Sequence, residues 1–186
     1  MNEEWRTITN PVTGEELTFV ETSEETGGLR TVMRLTLAPG GAVQAHSHRG
    51  TESFECTQGR LDFLLGMKTL RLKPGGKISS PPGEIHSFSN ETDSPATVQV
   101  TATPSGDIER ALRTVFALAR AGRLPPGRPP KNPLLMARLV VPDHVYLPPL
   151  PRPIYWPLMH VMSALGGRRA DKAIAKFLEQ QPADSS

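Results

Sequence analysis

The chain has 186 residues, 21 of them basic and 19 acidic, for a formal net charge of +2, and only 5% are aromatic. That length suits one domain with a real core plus an appendage. The longest apolar stretch, about residues 154–165, carries Pro157 and His160 and is too short to span a bilayer.

The totals hide an asymmetry. Residues 1–106 hold 9 basic and 13 acidic residues, whereas residues 107–186 hold 12 basic and 6 acidic. The basic half is diffuse and lacks interleaved aromatics, which argues against nucleic-acid binding. An arginine-rich helix surface in water is the simpler expectation. The single cysteine, Cys56, excludes an internal disulfide and points to a reducing compartment. The N-terminus is polar and acidic, without the apolar core of a secretory signal, so a cytoplasmic location is expected.

In chain order, residues 7–20 read as a strand pair around the turn Asn10-Pro11-Val12-Thr13-Gly14. A loop over 21–28 follows. Residues 29–37 alternate, which predicts a strand with Leu29, Thr31, Met33, Leu35 and Leu37 on one face. The next strand carries His46, His48, Glu52, Phe54 and Cys56, all of one parity. On a continuous strand those side chains share a face. A hairpin over 61–65 and 68–72 turns at Gly66-Met67. Short strands follow at 77–80 and around His86 and Phe88. A last strand over 96–103 buries Val98, Val100 and Ala102. Many short strands separated by turn residues mean a sandwich or barrel.

The remainder differs in kind. Asp107 is placed to cap a helix to Ala121, with the apolar stripe Ile108, Leu112, Val115, Phe116 and Ala119. A proline-rich connector spans 124–130. A helix is predicted over 134–141 and another from Pro157 to Leu165. A last amphipathic helix, about 171–178, uses Ile174, Phe177 and Leu178. These helices need a surface to cover: the barrel's outer face or a partner subunit, its mouth, or a membrane surface. Packing on the barrel is the default.

The chemistry concentrates in two motifs. The first is Gly40-x5-His46-x-His48-x3-Glu52-x6-Gly59. The second is Gly75-x5-Pro81-x-Gly83-x2-His86-x3-Asn90. Two imidazoles and a carboxylate converging from one segment suit a borderline or hard divalent metal. On both motifs, the chain resembles the cupin superfamily, with flanking strands extending the likeness to about 28–103. The layout from Asn10-Pro11-Val12-Thr13-Gly14-Glu15 to the helices resembles a group of single-domain bacterial cupins with a helical C-terminal extension.

The resemblance implies an all-β core, a jelly-roll (double-stranded β-helix) barrel with a C-terminal α-helical extension. It divides the chain into a barrel domain, 1–106, and a helical extension, 107–186, packing on the barrel or on a partner subunit. It implies one divalent metal held by His46, His48, Glu52 and His86, and a homodimer. Three imidazoles and one carboxylate leave a six-coordinate metal two open positions. Iron(II) ranks first, with manganese, nickel, zinc and copper as alternatives.

The expected function is that of a metal-dependent cupin acting on a small, apolar or aromatic, oxygen-bearing molecule. Dioxygenase-like (oxidoreductase) chemistry leads. A non-redox isomerase or lyase and a non-catalytic metal- or ligand-binding module are the alternatives. Met33, Phe54, Cys56, Phe63 and Phe88 are the candidate substrate pocket. Cys56 reads as a small apolar side chain rather than a reactive thiol. No second acid–base residue stands out inside the barrel. Glu55 and Glu84 have the opposite parity, and His144 and His160 enter only if the helices cover the mouth.

Overall fold

The computed structural model describes residues 4–124 and 132–179. Among the described residues, ten strands form two sheets. They are β1 (Thr7–Asn10), β2 (Glu15–Glu21), β3 (Thr31–Leu37), β4 (Ala42–His46), β5 (Thr51–Gln58), β6 (Leu61–Leu65), β7 (Lys68–Leu72), β8 (Lys77–Ser80), β9 (His86–Ser89) and β10 (Ala96–Thr103). A six-stranded sheet runs β1-β2-β3-β10-β5-β8 and a four-stranded sheet runs β4-β9-β6-β7. Every pairing is antiparallel. The two sheets face each other as a jelly-roll barrel.

Alternation sets the core. In β10, Ala96, Val98, Val100 and Ala102 are buried while their neighbours are not. They meet Met33, Leu35, Leu37, Phe54, Cys56 and Phe63 from the other strands in one cluster. The two-residue turn Gly66-Met67 joins β6 to β7, and Gly66 (φ 58) supplies the left-handed conformation such turns need at their first position. Gly59 is also left-handed (φ 73), and a Cβ there would lie 2.6 Å from the Pro95 carbonyl oxygen. The strand predicted from Leu29 begins at Thr31 instead. Leu29 lies outside it and is 74% exposed.

Among the described residues three α-helices follow: α1 (Ile108–Arg120), α2 (Pro133–Val140) and α3 (Arg152–Glu179). Phe116 and Ala119 of α1 are buried, and Ile108, Leu112 and Val115 pack on the barrel core. Asp107 does not cap α1 with its side chain. Its carboxylate pairs with Arg110, while Asp143 accepts the Asp107 backbone N–H at 2.7 Å. The Asn132 side chain caps α2 by accepting from Leu134 N and Leu135 N.

Helix α3 starts five residues before Pro157, which lies inside it, and breaks at Gly167 (φ 38, ψ −141). Helices α2 and α3 share a cluster of Ala137, Val140, Tyr146, Tyr155 and Met159. Leu118, Leu135, Leu139 and Ile174 tie all three helices together. Ile154, Leu158, Val161 and Leu165 form an exposed apolar face of α3. No helix among the described residues is long and apolar enough to cross a membrane. Residues 125–130 of the connector expected at 124–130, and the side chains of Phe177 and Leu178, lie outside what the structure describes.

Candidate metal centre

His46, His48, Glu52 and His86 converge, with their ligand atoms all within 4.8 Å of one another. The route differs from one continuous strand. His46 ends β4 in the four-stranded sheet, the chain turns through 47–50, and Glu52 sits on β5 in the six-stranded sheet. His86 opens β9 beside His46. The cluster therefore spans the gap between the sheets at one end of the barrel.

Each imidazole is oriented the same way. The Nδ1 of His46 lies 2.8 Å from the Gln44 carbonyl, that of His48 3.0 Å from Gly50, and that of His86 3.2 Å from Glu84. A carbonyl oxygen only accepts, so each Nδ1 carries the hydrogen. The three Nε2 atoms are thereby left on the side of the cluster, and His86 Nε2 is within hydrogen-bonding distance of Glu52 Oε2. Ser80 Oγ adds a second contact to His86 Nδ1 at 3.0 Å.

Glu52 Oε2 lies 3.0 Å from His48 Nε2 and 3.1 Å from His86 Nε2. The His48 approach is close enough for charge attraction but not aligned for a hydrogen bond, so this buried nitrogen has no hydrogen-bond partner. Three imidazoles and a carboxylate meet around one point with the His48 Nε2 unpartnered, a donor set that a divalent cation would satisfy. The residues fit such an ion.

Electrostatics follow from burial. Burial pushes the His46 imidazole down to about 4, with His86 adding to the effect. For His48, burial would lower the pKa, but the Glu52 carboxylate outweighs it and the net shift is upward. Burial would raise Glu52, yet the two neighbouring imidazoles hold its carboxyl far below the usual range. The site thus keeps one fixed negative charge and at least one neutral imidazole at neutral pH.

Residues 33–102 match the family model described as "Cupin domain". This segment is a cupin domain. Comparison with curated proteins finds no match. Among solved structures, the chain is similar to a sugar phosphate isomerase of the cupin superfamily from Silicibacter pomeroyi. That match has 26% identity, covers 51% of this chain and 62% of that one, and has a TM-score of 0.46. The chain thus spans less than two thirds of that relative's length. It is also similar to a predicted oxalate decarboxylase from Thermotoga maritima, at 20% identity, covering 55% and 96%, with a TM-score of 0.50. A third is a polyketide cyclase from Streptomyces resistomycificus, at 18% identity, covering 53% and 71%, with a TM-score of 0.48. At 20% identity the Thermotoga likeness speaks for the fold alone.

A cavity of about 320 Å³ opens on this His/Glu cluster of the cupin domain, with His46, His48 and Glu52 among its walls. Its other walls are mostly apolar: Val12 and Val43 from the barrel, Leu112 and Val115 from α1, Met136 and Leu139 from α2. The helices thus roof the barrel mouth as well as packing on its side.

None of Met33, Phe54, Cys56, Phe63 and Phe88 lines this cavity. All five are closed into the core below it, because inward parity at mid-strand leads to the barrel interior rather than to its mouth. Phe63 stacks parallel to His86 at 6.2 Å and Phe54 meets it edge-on at 5.9 Å, so they support the ligand from behind. Burial pushes the Cys56 thiol up, which suits a small apolar side chain.

His144 and His160 do not line the cavity either. Arg49 donates to His144 Nε2 at 3.0 Å, and both histidines contact the Trp156 ring. Their neighbour Asp143 does reach the cavity wall. The sequence reading missed a third cavity carboxyl, Glu15. It opens β2 with the same parity as buried Leu17 and Phe19, so an acid at an apolar-face position was the available signal.

Proposed function

We propose that this cupin domain holds one divalent metal on His46, His48, Glu52 and His86 and transforms a small, mainly apolar molecule carrying oxygen donors. The observation that carries this reading is the convergence of three imidazoles and one carboxylate, with His46, His48 and Glu52 on the cavity wall. The bound ion, iron(II) first and manganese, nickel, zinc or copper otherwise, would supply a Lewis acid and, if redox-active, access to dioxygen chemistry. The residues contribute the rest. Met136, Leu139 and Val115 exclude water and bury an apolar ligand, favouring an aromatic or similar molecule over a free sugar. The barrel domain carries the ligands, and α1 and α2 of the helical extension act as the roof.

Oxygenase-type chemistry is the first reading. A non-redox isomerase or lyase is the second, and Glu15 favours it, because such chemistry needs an acid–base group beside the site. Oxygen uptake by iron-loaded protein with small aromatic diols and diketones separates the two. Uptake matched by product supports the oxygenase. Product without uptake supports the second reading. Tight binding without product would make the domain a binding module.

A further inference from the structure

The cavity holds a carboxyl that the metal cluster does not use. Glu15 faces inward from the first position of β2, paired across from Asn10 and Leu37. It lines the same cavity as His46, His48 and Glu52. Both of its hydrogen bonds go to one oxygen: Thr13 Oγ1 donates to Oε2 at 2.5 Å and Asn10 Nδ2 at 3.5 Å. Asn10 is itself fixed, buried and accepting from Val12 N at 3.1 Å. Among the described residues Oε1 has no hydrogen-bond partner, and no arginine or lysine pairs with the carboxyl. One oxygen is anchored, and the other is free toward the cavity.

We propose that Glu15 is the proton-transferring residue of this cavity, taking a proton from the α-carbon of a small apolar β,γ-unsaturated carbonyl compound and returning it at the γ-carbon. The inference rests on the metal-site reading only for where the substrate's oxygens are held. Ionised Oε1 removes a proton from the carbon between the carbonyl and a C=C bond, and the C–H electron pair passes into the conjugated system as a dienolate. Glu15, now protonated, gives the same proton to the far carbon of the former C=C bond, and the double bond moves into conjugation with the carbonyl. The sum is an isomerisation that consumes no oxidant or co-reactant.

The surroundings support this role. Burial without a cation pushes the Glu15 carboxyl up to about 7, against the lowering effect of Thr13 and Asn10 and with a small upward push from Glu52. Both protonation forms are then present near neutral pH, as proton transfer requires. The other ionisable groups on the cavity wall are His46, His48, Arg49, Glu52 and Asp143. From α1, Arg120 reaches the strand backbone at the Thr9 carbonyl.

The test uses zinc-loaded protein, so that the imidazoles are occupied, and 5-nitrobenzisoxazole as an apolar probe with one acidic C–H. Removal of that proton breaks the N–O bond and releases a coloured cyanophenolate. The expected rate rises with pH through a midpoint of about 7. It falls at least tenfold, by the usual contribution of a positioned base, in Glu15→Gln, which keeps its zinc. An equal rate in Glu15→Gln, or no rate that depends on Glu15, overturns the proposal. A second readout needs no turnover: the carboxyl carbon signal lost in Glu15→Gln should titrate near 7 in the wild-type protein, and a midpoint near 4.5 overturns it. The double variant His48→Ala/Glu52→Ala separates the two readings. Zinc retained there, with the Glu15-dependent rate intact, refutes the metal site and leaves Glu15 standing.

Discussion

Ser47 and Tyr146 exchange a pair of backbone hydrogen bonds, Ser47 N to the Tyr146 carbonyl at 3.0 Å and Tyr146 N to the Ser47 carbonyl at 2.7 Å. Ser47 stands between His46 and His48. The helical extension is therefore stitched directly to the loop that carries two of the four metal-ligand candidates. Arg49 N, which donates to the Asp143 carbonyl at 2.9 Å, adds a second stitch. His144, in the left-handed region at φ 52, turns the chain from α2 into this bridge.

Arg152 locks the bridge from the far side. It donates to Ser47 Oγ at 3.1 Å and to the Gly83 carbonyl, and its guanidinium lies 4.9 Å from the centre of the Tyr146 ring. Arg152→Ala is expected to cost about 1–3 kcal/mol in urea unfolding, the usual range for charge-assisted hydrogen bonds. Amide exchange at Ser47 and Tyr146 should quicken. Unchanged exchange at both would show that the bridge stands without it.

Metal affinity should depend on pH through His48. Its pKa is raised by Glu52, so a proton competes with the metal for its Nε2. Zinc affinity, measured by competition with a chelator, is expected to fall roughly tenfold per unit as pH drops below that raised pKa. An affinity independent of pH between 6 and 8 would contradict this.

Stability should fall as pH rises through the Glu15 range. The ordinary value is 4.5 and the folded value about 7. Between them the folded state holds the proton that the unfolded chain has released, so the full benefit exists below 4.5 and is lost by about 7. Glu15→Gln cannot ionise. Relative to wild type, it should gain up to roughly 3 kcal/mol on going from pH 4 to pH 8. Parallel stability curves for the two proteins would show that Glu15 titrates normally.

The barrel was legible because its signals are local. Turn glycines such as Gly59 and Gly66 sit where backbone geometry demands them, and alternation in β10 marks the buried face directly. The four ligand candidates were legible for a partly mistaken reason. Parity along one strand placed His46 and Glu52 together, whereas the chain crosses between sheets to do so. The lining of the cavity was not legible. Alternation tells inside from outside but not depth, so Phe54 and Phe63 could not be told from cavity residues. The roof was hidden for a related reason. The stripe on α1 shows that it covers something, but the bridge at Ser47 and Tyr146 depends on backbone groups that carry no residue signature.

The central claim is the metal centre, and the most direct test is elemental analysis of protein purified without chelators and then reloaded. The account predicts close to one divalent metal per chain, lost in His48→Ala/Glu52→Ala while the fold persists by circular dichroism. Stoichiometric metal in the double variant, or none in the wild-type protein after reloading, would contradict it.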